Sequence, residues 1–91
     1  MNTIVMISRA HAETAFRLAE ELHKDGSEIH ILFTGRGTHH LGRGDVLKKL
    51  EFAELYTFET EFDSPKEKIK AISYLEFVEL MELCERTFTW I

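Results

Sequence analysis

One cysteine, one proline and five glycines in 91 residues exclude several architectures at once. The lone Cys84 cannot close an internal disulfide and has no partners at zinc-ligand spacing, so neither a disulfide scaffold nor a structural metal site is expected. No Gly-Pro repeat or low-complexity tract is present, and apolar runs stop at four or five residues, too short to span a bilayer. No membrane association is expected. Basic side chains number 11 against 16 acidic ones, a formal charge of −5, and no Lys/Arg-rich run offers phosphates a binding surface. Direct DNA binding is not expected. The first segment, Met1 to Ile7, lacks a basic flank and a small-residue cleavage site, so it reads as a strand rather than a signal peptide, and the expected compartment is the cytoplasm. Neither a Walker loop nor a dinucleotide fingerprint occurs, so no cofactor is expected.

What is present alternates between strand and helix. Thr3 to Ile7 and Ile29 to Phe33 are short continuous apolar runs, the pattern of strands covered on both faces. Between them Ser8 offers an N-cap oxygen to a helix running to about Asp25, which Gly26 stops. On a helical wheel Ala12, Ala15, Phe16, Leu18, Ala19 and Leu22 share one side. Glu13, Arg17, Glu20, Glu21 and Lys24 share the other, with Glu13–Arg17 and Glu20–Lys24 at favourable i,i+4 spacing. That polar side reads as solvated. A weaker helix is expected over Thr38 to Leu50, interrupted by Gly42 and Gly44, then a strand over Leu55 to Glu59. Ser64-Pro65-Lys66-Glu67 has the form of a capping box with Pro at the first helical position. A strand over Ile69 to Ser73, a helix over Tyr74 to Glu85 and an edge strand over Thr87 to Ile91 complete the chain. The expected fold is a single α/β domain, three layers, with a mostly parallel five-stranded sheet flanked by helices.

Two C-terminal stretches, Ile72-Ser73-Tyr74-Leu75-Glu76-Phe77-Val78-Glu79-Leu80 and Thr89-Trp90-Ile91, resemble the small DsrE/DsrF/DsrH-like proteins, nearest the DsrH/TusB branch. Leu32 to Gly37 occupies the place of that branch's turn after the second strand. The resemblance implies a cytoplasmic sulfur relay, in which oligomers pass persulfide sulfur between cysteines for tRNA 2-thiouridine synthesis or sulfur oxidation. Where such proteins carry a working cysteine near the end of the first helix, Ala19 to Asp25 holds none, and Glu61-Phe62-Asp63 replaces the branch's Ala-Arg-Gly. The implied role is an accessory subunit. Cys84 itself falls on an apolar arc with Tyr74, Phe77, Val78, Leu80 and Met81, where a thiol behaves as a small hydrophobe.

The segment Gly35-Arg36-Gly37-Thr38-His39-His40-Leu41-Gly42-Arg43-Gly44 follows the carboxyl end of a parallel strand, where open α/β sheets place ligands. Gly35 and Gly37 would let backbone amides approach an anion that Arg36, His39, His40 and Arg43 pair with. With Lys48 and Lys49 opposed by Asp45 alone, residues 35 to 50 form a basic patch on an acidic protein. A plain connecting loop with solvated arginines is the alternative. Two functions therefore stand: an accessory member of a sulfur-relay assembly, or a small anion- or ligand-binding homo-oligomer without sulfur chemistry. A domain this small buries only roughly 60–65% of its unfolded surface. Leu75 and Leu83 lie on the outer side of the third helix, and with Phe62, Trp90 and Ile91 they are expected to form an interface. The expected partners are other copies of the chain or cysteine-bearing relay subunits.

Overall fold

Runs of β-branched and aliphatic residues that bury both faces build the middle of the sheet. The computed structural model describes residues 1–59 and 69–90, as β1 (Asn2–Ile7), α1 (Glu13–Lys24), β2 (Glu28–Phe33), a 3-10 helix (Gly35–Gly42), α2 (Gly44–Lys49), β3 (Glu54–Phe58), β4 (Ile69–Ile72), α3 (Tyr74–Leu83) and β5 (Arg86–Trp90). The strand order is β4-β3-β2-β1-β5 and all four pairings are parallel. Successive strands step outward from β1 to β4, and α3 carries the chain back to β5 on the other side of β1. Because side chains alternate along a strand, Val5, Ile31 and Leu55 pack with α1, α2 and the 3-10 helix on one face. Ile4, Leu32 and Tyr56 pack with Phe77 of α3 on the other. Three layers result. Each fully buried aliphatic or aromatic side chain here contributes about 1.5–3 kcal/mol.

Gly26 closes α1 with a φ of 96°, a left-handed conformation that glycine adopts without strain. At its other end α1 starts at Glu13, five residues after Ser8, and Ser8 does not cap it. Its amide and hydroxyl both donate to the Trp90 carbonyl, at 2.9 and 3.3 Å, which holds the chain extended beyond β1. Leu18 lies outside the buried stripe of α1, which consists of Ala12, Ala15, Ala19 and Leu22 with Phe16 half-buried. Three alanines bring the helix close to the sheet.

The third helix departs further from expectation. Only Phe77 is buried, Leu80 and Cys84 are half-buried, and Tyr74, Val78 and Met81 are exposed. Among the described residues α3 is the one helix on its face of the sheet, so only a narrow arc of it is covered. It ends at Leu83, two residues before Glu85, with Cys84 as its C-cap. Its start is a capping box: Ser73 Oγ accepts from the Glu76 amide at 3.2 Å, and Glu76 Oε1 accepts from the Ser73 amide at 3.1 Å. The capping box read at Ser64 to Glu67, together with Phe62 and Ile91, lies outside the described residues. Among the described residues no helix is long and apolar enough to cross a membrane.

Candidate functional site

At the carboxyl end of the sheet the loop Ser8 to Ala12 is held from both sides. Trp90 Nε1 donates to the His11 carbonyl at 2.8 Å, and His40 Nε2 bonds the Arg9 carbonyl at 3.0 Å. A carbonyl only accepts, so Nε2 carries the proton and Nδ1 is left as a lone pair, buried and without a hydrogen-bond partner among the described residues. The imidazole is 3% exposed, with Phe16 edge-on at 5.1 Å and Phe33 at 5.9 Å. Burial pulls its pKa below 6.5, against the hydrogen bond to Arg9, so the ring is neutral near pH 7.

A cleft of about 530 Å³ opens beside this ring, between the start of α1 and α2. Phe16, Val46, Leu50 and Phe52 supply apolar wall, and Arg17, Arg43 and Lys49 supply positive charge. Glu13, Glu20 and Asp45 also line it. Two of these acids are engaged: Asp45 accepts from Arg43 at 3.3 Å, and Glu20 pairs with Lys24 at 3.6 Å. Arg17 and Lys49 have no ion-pair partner among the described residues; the Glu13–Arg17 pair expected from spacing does not form.

Of the six loop residues singled out in the sequence, His40 and Arg43 reach this cleft, whereas Gly35, Arg36, Gly37 and His39 do not line it. Arg36 and His39 are exposed. Gly37 is buried for packing: a Cβ there would stand 2.1 Å from the Ile7 carbonyl oxygen, so the 3-10 helix backs directly onto the end of β1. Arg17 is exposed, as its place on the solvated helix face implies, and it also lines the cleft, which that face by itself does not indicate. The available signal was an i,i+4 arginine one turn above Glu13, at the end of the helix nearest the strand carboxyl ends.

A second polar cluster sits on the opposite face, at the amino end of the strands. His30 Nδ1 and Tyr56 Oη are hydrogen-bonded at 3.0 Å, and Lys70 Nζ lies 5.9 Å from the Tyr56 ring centre while pairing with Glu54 at 3.6 Å. Burial lowers the His30 pKa and raises that of Tyr56. Cys84 belongs to this end and face. The next residue, Glu85, donates its amide to the carbonyl of Asn2 at the start of β1, and Cys84 packs with Leu80 against the Phe77 cluster. Burial pushes the thiol pKa up. The outer apolar positions are split. Leu75 and Leu83 are 68% and 61% exposed, but the Trp90 indole is half-buried against the α1-side core.

No protein-family model matches the chain. No curated protein matches it either. Among solved structures it is similar to the YchN protein from E. coli, with a TM-score of 0.76 and 13% identity over 99% of this chain and 100% of that one. YchN has a DsrE/DsrF/DsrH-like fold, and at this identity the likeness shows a shared arrangement of strands and helices.

Proposed function

We propose that this chain is a non-sulfur-carrying subunit of a relay assembly of the DsrE/DsrF/DsrH-like kind. The observation that carries the reading is the place of its one cysteine. Cys84 caps the end of α3 at the amino end of the sheet, on the face opposite the cleft, half-buried and with its thiol pKa raised. A persulfide carrier needs an exposed thiolate beside positive charge. Here Arg17 and Lys49, without ion-pair partners among the described residues, line the cleft on the other face. The shared fold and the sequence resemblance support the assembly; the cysteine's surroundings support the accessory role within it.

The test is reconstitution. Sulfur transfer to a cysteine-bearing relay subunit is followed with radiolabelled persulfide, with and without this chain. Wild type and Cys84→Ala are expected to raise the transfer equally. A requirement for Cys84 in a variant that stays folded would assign the chain a carrier role instead, and no effect of either form would refute the accessory role.

A further inference from the structure

The cleft between α1 and α2 combines features that a connecting loop does not need. It has an apolar wall, Phe16 and Phe52 being half-buried and Val46 and Leu50 buried, and it carries two cations, Arg17 and Lys49, without ion-pair partners among the described residues. The buried His40 ring forms part of its lining. The geometry points to a binding site for a small amphiphilic anion, its aromatic or aliphatic body on Phe16, Val46 and Phe52 and its acidic group between Arg17 and Lys49.

Each alternative class of ligand fits worse. A cation would meet Arg17 and Lys49 against Glu13 alone, since Arg43 and Asp45 pair with each other and Glu20 pairs with Lys24. A neutral apolar molecule would take the unpaired cations out of water without compensation. A bare inorganic anion would leave the aromatic wall unused. The cleft volume of about 530 Å³ falls within the range that accommodates small organic ligands. This site does not depend on the accessory-subunit reading, since it involves neither Cys84 nor a partner.

The probe is 8-anilinonaphthalene-1-sulfonate, an aromatic body bearing one sulfonate, titrated by fluorescence against three proteins that circular dichroism shows to be folded. Wild type is expected to bind one molecule per chain, with affinity falling as salt rises. Arg17→Gln/Lys49→Gln is expected to bind about tenfold more weakly or worse. Leu75→Glu/Leu83→Glu, altered on the exposed side of α3, is expected to bind as wild type does. The uncharged N-phenyl-1-naphthylamine should not distinguish wild type from the Arg17→Gln/Lys49→Gln variant. Equal sulfonate binding by wild type and that variant, loss of binding in the α3 variant alone, or no binding by wild type would each overturn the proposal.

Discussion

His40 Nε2 donates to the carbonyl of Arg9 across 3.0 Å, joining the 3-10 helix after β2 to the loop after β1 through a ring that is almost fully buried. The imidazole is neutral because burial outweighs that bond in setting its pKa, and His30 is lowered by burial in the same way. Both groups bind protons less readily folded than unfolded. Stability is therefore expected to be full above about pH 6.5 and to decline as pH falls through 6.5 and below, toward the depressed folded values. Urea midpoints measured at about pH 7.5 and about pH 5 check this. His40→Phe should flatten part of the difference; a wild-type midpoint that does not move would contradict it.

Gly37 and Gly42 lie in the same 3-10 helix and should respond oppositely to alanine. At Gly37 the new methyl would meet Ile7 main-chain atoms at 2.1 and 2.8 Å, a buried backbone that moves only by shifting β1. Overpacking of this kind costs about 1–3 kcal/mol. At Gly42 nothing lies within 4 Å and φ is not positive, so Gly42→Ala should be neutral or stabilising by up to about 1 kcal/mol. Thermal unfolding distinguishes them, since about 1 kcal/mol shifts Tm by roughly 4–8 °C in a domain of this size.

Ser73→Ala removes the hydroxyl that accepts from the Glu76 amide. A loss of about 1 kcal/mol is expected, with Ser73→Thr close to wild type. Calorimetry reads this, and an unchanged Tm in the alanine variant would show that α3 is held by Phe77 packing alone.

Tyr74, Leu75 and Leu83 all stand more than 60% exposed on a helix that, among the described residues, has no neighbouring helix on its side of the sheet. Association through this surface is expected, so sedimentation at micromolar concentration should find no 10.6 kDa species. Leu75→Glu/Leu83→Glu should bring that species out without unfolding it. Trp90→Ala should act differently, lowering stability first, because the indole packs in the core and bonds His11. A wild-type monomer would contradict the expectation.

The elements most legible in the sequence were those whose residues answer to one local rule. Apolar runs mark β1 and β2, and Gly26 marks the end of α1, where a left-handed residue is needed. Ser8 misled because its amide is taken by Trp90, some eighty positions away, an interaction local patterning cannot show. The apolar arc of α3 was read too broadly for a related reason. How much of a helix is buried depends on what packs beside it, and among the described residues Val78 and Met81 have no second helix there. In the site, His40 and Arg43 were visible as unusual residues after a strand, whereas Arg17 had the ordinary appearance of a solvated helix face. Its place in the cleft depends on where α2 and Phe52 come to rest.

Whether this chain itself takes up sulfur is read by intact-protein mass spectrometry after incubation with a cysteine desulfurase and cysteine. The predicted result is a single unmodified species of 10.6 kDa under conditions in which a cysteine-bearing relay subunit in the same tube gains sulfur. A mass increase of one sulfur atom on this chain, lost in Cys84→Ala, would contradict it.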